Sequence, residues 1–131
     1  MNEDIYKQNI LNHYKSPHNK GALSAYNIKT EGTNQSCGDS LALYLSFDEN
    51  KHIHAASFDG TGCAISQSAA SMLTDKIKGK SLEELKVMTP GDIYTMLGIT
   101  ISPGRSKCAL LAYGTLCDAI KKYEEDKETK K

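Results

Sequence analysis

The spacing of apolar residues at the beginning of the chain predicts an amphipathic helix. The larger apolar residues that recur there at helical spacing are Ile5, Tyr6, Ile10 and Tyr14. Pro17 follows shortly afterwards and marks the end of the pattern, because proline is disfavoured inside a helix. The stretch SPHNKGALSAYNIKTEG predicts a loop that leads to a short strand near residues 26–30.

The middle of the chain has the two-residue period of a strand instead. In SLALYLSF, smaller or more polar residues separate the apolar positions Leu41, Leu43, Leu45 and Phe47. The following DENK predicts a turn, and HIHAASF predicts a returning strand. With the weaker strand at residues 26–30, these stretches predict an antiparallel sheet of about three strands, whose pairing order the pattern leaves open.

A helical period returns after the glycine-rich DGTGC. One face of the predicted helix carries Ile65, Ala69, Met72, Leu73 and Ile77. Ser81 and Glu84 have the spacing of a capping box before a further short helix. Thr89 and Gly98 have the positions expected of the N-cap and the end of another.

The last predicted helix begins at Arg105 or Ser106 and ends at Tyr123. Its inner stripe is predicted to consist of Ala109, Ala112, Tyr113, Leu116, Ile120 and Tyr123. A charged tail from about residue 124 is predicted to be solvated. Strands that precede a run of helices indicate one α+β domain over residues 1–131, in which helices pack on one face of a small antiparallel sheet.

Composition and charge narrow the classes of function. Sixteen basic and sixteen acidic residues cancel, and no stretch before the tail concentrates one sign, so a nucleic-acid partner is not expected. The chain has no apolar run of roughly 18 residues, and MNEDIYKQNI does not resemble a secretory signal, so no membrane partner is expected. We therefore expect a soluble cytoplasmic protein. Disulfides seldom persist in that compartment, which leaves the cysteines as buried residues, metal ligands or reactive thiols.

Three of the cysteines fall at comparable edges of the predicted elements. Cys37 precedes a strand, Cys63 lies in a turn that enters a helix, and Cys108 lies near the start of the last helix. With Asp39 as a fourth ligand they form a candidate metal or cluster site, because thiolates suit zinc and iron–sulfur centres. Cys117 lies near the opposite side of the last helix and is predicted to be a small buried or half-buried residue without a ligand role.

The residues next to these cysteines favour a shared site over three unrelated loop cysteines. Gly38 frees the backbone next to Cys37. The predicted helix N-termini at Cys63 and Cys108 favour thiolates, and Arg105 and Lys107 add positive charge beside Cys108. The cysteine spacing matches no zinc-finger pattern, so ordinary loop cysteines stay an alternative at this stage.

The histidines and the serines of SQSAAS are predicted to have structural rather than functional roles. His13, His18, His52 and His54 could bind a metal but are predicted to lie on a solvated surface. The serines of SQSAAS have no recognisable Ser-His-Asp arrangement and are predicted to ease helix packing. The phosphate-binding pattern GxxxxGK does not occur in the sequence, so nucleotide hydrolysis is not predicted.

Four stretches of the chain carry a resemblance that covers most of its length. They are HYKSPHNKG, CGDSLALYL, FDGTGCAISQSAASMLTDKIKGKS and RSKCALLAYGTL, and the match runs in order from about Tyr6 to Leu116. Together they resemble the IscU/SufU family of iron–sulfur cluster assembly proteins, which is also found as the amino-terminal domain of NifU. The resemblance implies a small antiparallel sheet covered by helices. It also implies that a [2Fe-2S] cluster or a zinc ion is bound by Cys37, Asp39, Cys63 and Cys108.

The same resemblance implies partners and separates two branches. A cysteine desulfurase delivers persulfide sulfur, and the cluster passes to apo recipient proteins. The IscU branch carries L-P-P-V-K-x-H-C, whose first part a dedicated chaperone recognises. Here ISPGRSKC keeps only Pro103 and Cys108, with Lys107 in place of the histidine, which argues against docking of that chaperone. RSKCALL resembles the zinc-binding SufU branch, although residues 80–103 are too short for the insertion typical of it.

Two functions are compatible with the sequence, and a structural-zinc binding module is a minor third alternative. A scaffold, which is not an enzyme, binds iron, accepts persulfide sulfur and transfers a [2Fe-2S] cluster that the carboxylate of Asp39 keeps exchangeable. A zinc-dependent sulfurtransferase accepts the persulfide on Cys108, helped by Arg105 and Lys107. In the third, zinc is purely structural in a binding module. The sequence leaves open the occupant of the site, the oligomeric state and the identity of the desulfurase.

Overall fold

The computed structural model describes residues 3–34 and 38–129, so Cys37 lies outside the described residues. Its elements are α1 (Glu3–Lys15), β1 (Ile28–Asn34), β2 (Asp39–Phe47), β3 (Ile53–Thr61), α2 (Ala64–Ile77), α3 (Leu82–Lys86), α4 (Pro90–Leu97), a short 3₁₀ helix (Pro103–Arg105) and α5 (Ser106–Thr129). Among the described helices, none combines the length and the apolar composition that a bilayer crossing requires.

The strands form one antiparallel sheet in the order β1-β2-β3, which supplies the pairing order that the pattern left open. Leu41, Leu43 and Leu45 are buried, as the alternation in β2 predicts. Tyr44 is buried on the other face of β2, where the ring of Tyr26 packs edge-on at a centroid distance of 5.3 Å. The predicted α+β class with a three-stranded antiparallel sheet is confirmed.

Helices α2 and α5 lie against the sheet, and α1 packs on α2. These neighbours bury α2 on nearly all sides, so that even Ser66, Ser68 and Ser71 are inaccessible. Ser68 donates its hydroxyl to the backbone carbonyl of Ile10 at 2.7 Å, which ties α2 to α1. Small hydroxyl side chains at these positions allow the helices to approach closely, as the sequence predicts.

Hydrogen bonds at the ends of α3 and α4 match the cap signals in the sequence. Ser81 Oγ accepts the N–H of Glu84, whose carboxylate accepts the N–H of Ser81 in return. Thr89 and Asp92 form the same reciprocal pair at the start of α4. Helix α4 ends at Gly98, whose φ of 72° lies in the left-handed region that glycine adopts at low cost.

Three elements, β1, β3 and α5, extend further than the sequence predicts. β3 continues past the predicted HIHAASF to Thr61, because its backbone pairs with β2 as far as Ser40. β1 covers Ile28–Asn34 and not residues 26–30, because its backbone pairs with β2 as far as Asp39. Helix α5 continues past the predicted end at Tyr123 to Thr129. Stacking of Tyr123 on Phe47 and an ion pair between α3 and Glu124 hold this part of the helix against the rest of the molecule.

Helix α1 buries less of its predicted apolar stripe than the pattern indicates. Ile10 is 4% exposed, whereas Ile5 is 69% and Tyr14 is 45% exposed. The helix lies on the outside of the molecule and packs mainly on α2. It therefore buries a narrow stripe, and the ends of the predicted stripe face outward.

Candidate metal centre

Three of the four predicted site residues meet near the beginnings of β2, α2 and α5. Asp39 is the first residue of β2, Cys63 is the N-cap of α2, and Cys108 lies in the first turn of α5. A carboxylate oxygen of Asp39 and the two Sγ atoms all lie within 4.8 Å of one another. Asp39 and Cys108 are buried, and Cys63 is half-buried. Cys37 lies outside the described residues, so its place in the site stays a prediction.

Glycines position Asp39 against the start of α2. Gly38 has a φ of 70°, a left-handed conformation that turns the chain into β2 at the carboxylate. Asp39 Oδ1 then accepts the backbone N–H of Cys63 at 3.0 Å. A Cβ on Gly62 would lie 2.6 Å from that oxygen and 2.4 Å from Ser66 Oγ, so only glycine permits this approach without a shift.

Cys63 acts as the N-cap of α2 through its sulfur. Its Sγ accepts the N–H of Ser66 at 3.5 Å, and Ser66 donates its hydroxyl to the Cys63 carbonyl at 3.1 Å. Burial works to raise the pKa of the Cys63 thiol. Hydrogen bonds from the backbone and side chain of Ser66, from Cys108 and from the Ile65 backbone outweigh burial and lower that pKa below its usual value. The thiolate, which is the metal-binding form, is therefore favoured.

Cys108 contacts a residue that the sequence does not single out. Asn34, the last residue of β1, donates from Nδ2 to Cys108 Sγ at 3.6 Å, and both side chains are buried. No periodicity or motif marks Asn34. The one sequence feature that could have indicated it is its position three residues before Cys37. The sequence pattern ends the predicted strand at residue 30, whereas β1 continues to Asn34.

Asp39 carries an unused acceptor in this cluster. Asp39 is the one charged residue among the buried residues that the structure describes. Its Oδ1 accepts the Cys63 N–H, but within the described part of the chain Oδ2 has no hydrogen-bond partner. A buried carboxylate oxygen without a partner is costly, and a cation that it can coordinate removes that cost.

The donor atoms fit a zinc ion or an iron site. Zinc–sulfur bonds of about 2.3 Å and zinc–oxygen bonds of about 2.0–2.2 Å place tetrahedral ligand atoms roughly 3.6–3.8 Å apart. Ligand atoms that already lie within 4.8 Å need only small movements to reach that geometry. Two sulfurs and one oxygen leave a fourth position, which the predicted ligand Cys37 or an exogenous ligand can take.

The predicted helper cations lie outside the buried cluster. Arg105 is exposed and lines a groove of about 490 Å³ together with Ile99 and Ile101. Lys107 is also exposed and lines a different groove of about 600 Å³, which Cys117 borders as well. The two cations line separate grooves, and their predicted role beside Cys108 stays a prediction.

Cys117 and two histidines, His13 and His52, depart from their predicted burial. Cys117 is exposed, not buried or half-buried, because α5 packs on the sheet through the opposite side of the helix. His18 and His54 are exposed as predicted, and His52 is half-buried. His13 is also half-buried, since its Nδ1 lies 2.7 Å from Ser71 Oγ on the neighbouring helix.

Comparison with known proteins finds relatives of this chain in both the IscU and the SufU branch of one family. The family model of the NifU-like N terminal domain matches residues 5–130. The zinc-dependent sulfurtransferase SufU of Bacillus subtilis is 34% identical over 139 aligned positions, which cover 93% of each chain. The iron-sulfur cluster assembly scaffold protein IscU of Thermotoga maritima is 34% identical over 134 aligned positions, which cover 90% of this chain and 94% of the relative.

Solved structures give the same result for the fold. A candidate scaffold protein of the SUF system from Fervidobacterium islandicum is 30% identical and has a TM-score of 0.71, with coverage of 92% of this chain and 99% of that one. The N-terminal part of a NifU-like protein from Brucella abortus has a TM-score of 0.75 at 18% identity, covering 94% of this chain and 96% of that one. At that identity the similarity supports the fold alone.

Proposed function

Because the chain belongs to the family of NifU-like N-terminal domains, we propose that it is a cytoplasmic scaffold for iron–sulfur cluster assembly. It binds iron, accepts persulfide sulfur from a cysteine desulfurase and builds a [2Fe-2S] cluster that passes to apo recipient proteins. The observation that carries this proposal is the buried meeting of a carboxylate and two sulfurs, Asp39, Cys63 and Cys108. That donor set combines the thiolates that iron–sulfur centres require with one weaker ligand.

The four residues have different parts in this proposal. Cys37, Cys63 and Cys108 hold the cargo through sulfur, and Asp39 holds it through Oδ2. An oxygen donor is harder and less covalent than a thiolate, so it yields more readily to an incoming thiolate of a recipient protein. Asp39 therefore keeps the cargo exchangeable. The backbone N–H of Cys63 holds Oδ1 at 3.0 Å, which leaves Oδ2 for the metal.

Cys108 is the proposed acceptor of persulfide sulfur. Its thiolate attacks the terminal sulfur of the desulfurase persulfide and forms a new S–S bond. The old S–S bond breaks, and its electron pair leaves on the cysteine of the desulfurase. Because Cys108 is buried, docking of the desulfurase must first expose Sγ. We expect the exposed Arg105 and Lys107 to contact acidic groups of that partner.

A zinc-dependent sulfur carrier is the second candidate. It is favoured by the lysine that precedes Cys108, where the scaffold branch has histidine, and by the similarity to the Bacillus sulfurtransferase. In this function the same residues hold a resident zinc ion, and Cys108 is released to accept and pass on sulfur. The site then exports sulfur alone and not a finished cluster.

Anaerobic reconstitution distinguishes these candidates. The apo protein is incubated with ferrous iron, cysteine and a cysteine desulfurase, and the optical spectrum and transfer to an apo-ferredoxin are followed. We expect a [2Fe-2S] spectrum and complete transfer. Fast persulfide acceptance without a transferable cluster would instead establish the sulfur carrier.

Three cysteine variants in the same assay test whether a thiol of the site accepts sulfur or whether the metal is purely structural. Cys108→Ala is expected to abolish persulfide acceptance, whereas the exposed Cys117→Ala, on the same helix, is expected to retain it. Unchanged acceptance by both Cys108→Ala and Cys63→Ala would leave only a structural-zinc binding module. Cys63→Ala, which removes the more accessible of the two clustered thiols, tests whether that sulfur takes the persulfide instead.

Asp39→Cys tests directly whether the carboxylate ligand makes the cluster exchangeable. A cluster held by four thiolates is expected to form normally but to transfer to apo-ferredoxin about tenfold more slowly, since no ligand yields easily. Cluster content is measured by the optical spectrum before transfer begins, so that assembly and release are scored separately. A transfer rate equal to that of the unchanged protein rules out this role for Asp39.

A further inference from the structure

Asn34 is a buried polar residue next to the cluster, and the function proposed above gives it no role. It ends β1 and pairs across the sheet with Asp39, the first residue of β2. The residue is 7% exposed, and its Nδ2 lies 3.6 Å from Cys108 Sγ. The side chain of one strand end thus contacts the sulfur of a distant helix, beside the carboxylate of the next strand.

The chemistry of this contact suits a sulfur that carries negative charge. A neutral thiol is a weak acceptor, whereas an anionic sulfur accepts an N–H bond strongly. A carboxamide keeps its donor at every pH and adds no charge of its own beside Asp39. Burial of an amide is unfavourable unless it is hydrogen-bonded, so the contact of Asn34 with Cys108 is one that the fold must maintain.

The contact also limits where the sulfur can point. A cysteine side chain has three staggered positions about its first torsion angle, and metal binding requires the one that directs Sγ at the other ligands. Asn34 donates to Sγ while Asp39 and Cys63 lie within 4.8 Å of each other and of that sulfur. The bond to Asn34 therefore selects one position of the sulfur before a metal arrives.

We propose that Asn34 is a positioning residue of the metal centre, whose side-chain N–H holds Cys108 Sγ toward Asp39 and Cys63. The proposal rests on the ligand set of the proposed function. It assigns Asn34 the task that residues behind metal ligands commonly have, which is to orient a ligand and to tune its electron donation. It applies equally to a zinc ion and to an iron–sulfur cluster, because both are bound through the same sulfur.

The test uses Co²⁺ as the probe metal, because sulfur-to-cobalt charge-transfer absorption reports the bound thiolates directly. Asn34→Leu keeps the approximate size of the side chain and removes the donor. We expect it to weaken Co²⁺ binding about tenfold, at the lower end of the roughly 10–100-fold loss typical of such residues, and to shift the charge-transfer band. Asn34→Gln restores a donor and is expected to recover part of both. If Asn34→Leu does not fold, Asn34→Ala takes its place with the same expectation.

The matched control is Asn27→Leu, just before the other end of β1. Asn27 Oδ1 accepts the backbone N–H of Phe47 at 2.6 Å, so this variant also removes one side-chain hydrogen bond from the edge of the sheet. We expect no change in Co²⁺ affinity or band position. Equal losses from Asn27→Leu and Asn34→Leu would mean that both act through general stability, which overturns the positioning role.

Cys108→Ala in the same titration separates this inference from the proposed function. If Cys108→Ala binds Co²⁺ with unchanged affinity and spectrum, the ligand set is wrong and the role of Asn34 falls with it. If Cys108→Ala weakens binding but Asn34→Leu matches the unchanged protein in affinity and band position, Asn34 has no such role and the ligand set stands. Loss in both, with recovery in Asn34→Gln, supports the inference.

Discussion

Two groups of polar side chains lie toward opposite ends of helix α2 and use their hydrogen-bonding capacity differently. The sulfur–carboxylate cluster, at its N-terminal end, consists of Asp39, Cys63 and Cys108. The histidine network, toward its C-terminal end, joins α2 to α1 and to the loop after α1. Its members are His13, His18, Asn19, Ser71 and Asp75.

The histidine network is saturated. Ser71 Oγ contacts His13 Nδ1 at 2.7 Å and accepts the backbone N–H of His18 at 2.8 Å. The carboxylate of Asp75 takes His18 Nδ1 on one oxygen and the amide of Asn19, at 2.8 Å, on the other. Over residues 3–34 and 38–129, no buried nitrogen or oxygen of this network lacks a partner.

The sulfur–carboxylate cluster contains a buried acceptor atom that has no hydrogen-bond partner among the described residues. The second oxygen of Asp39 is buried and has no partner in the described part of the chain, although the first accepts a backbone N–H. Both regions are rich in titratable groups, so residue type does not distinguish them. The two regions differ in that the cluster has a hydrogen-bond acceptor without a partner, Asp39 Oδ2. A bound ligand can supply that partner.

The largest effect that tests this difference is expected from Cys63→Ala. Loss of a ligand should weaken Zn²⁺ or Co²⁺ binding by more than the roughly 100-fold upper range seen for residues that only support ligands. Competition with a chromophoric chelator measures the affinity. Cys117→Ala removes an exposed thiol and should leave affinity unchanged. Normal binding by Cys63→Ala would remove the cluster from consideration as a metal site.

Gly62→Ala should have the next largest effect on metal binding. The added Cβ would lie 2.4 Å from Ser66 Oγ and 2.6 Å from Asp39 Oδ1, so the carboxylate must move. We expect about a tenfold loss of affinity, comparable with other changes beside a ligand, and a lower unfolding temperature. Gly114→Ala meets nothing within 4 Å in α5 and should be neutral or slightly stabilising. Equal behaviour of the two variants would contradict the tight approach at Gly62.

Ser71→Ala tests the histidine network, which is expected to contribute to stability and not to metal binding. It leaves the backbone N–H of His18 and the ring of His13 without their shared partner, so the free energy of unfolding should fall by about 1–3 kcal/mol. Metal affinity should not change. Asn12→Ala breaks only an exposed contact with Gln8 and should stay within about 0.5 kcal/mol of the unchanged protein. Urea unfolding measures both, and a metal-binding defect in Ser71→Ala would show that the two regions are coupled.

The smallest expected effect is a dependence of stability on pH from the histidine network. Burial and then the charge of His18 hold the pKa of His13 below 6.5, against an opposing effect of Asp75. Burial works to raise the pKa of Asp75, but hydrogen bonds from His18 and Asn19 outweigh it and lower that pKa below 3.8. Lys78 adds positive charge near this carboxylate.

Both depressed pKa values have the same sign of effect on stability. The unfolded chain binds these protons more readily than the folded one, so stability is full above the unfolded pKa and falls as pH decreases through the folded one. We expect a lower urea midpoint at pH 5.5 than at pH 7.5 in the metal-free protein, from His13, with the contribution of Asp75 lost only below about pH 4. His13→Asn should flatten the upper part of this dependence. An unaltered pH profile in that variant would contradict the assignment.

Several features of this protein follow from local sequence alone. The capping boxes of α3 and α4 and the alternation of leucines in β2 occur where the pattern predicts them, since each depends on residues close in sequence. The same holds for the placing of Cys63 and Cys108 at helix starts. Together with the resemblance of four long stretches to one family, these positions predict the site from the sequence.

Other features depend on contacts between distant residues, and only the tertiary structure decides them. The length of β1 follows from its pairing with β2, and the exposure of Cys117 follows from which side of α5 meets the sheet. The burial of His13 follows from Ser71, and the contact of Asn34 follows from where Cys108 lies, which is 74 positions away in sequence. Short-range patterns indicate which side chains can face inward. Which atom each one meets there is set by packing, because the free energy of a buried polar group depends on its particular partner.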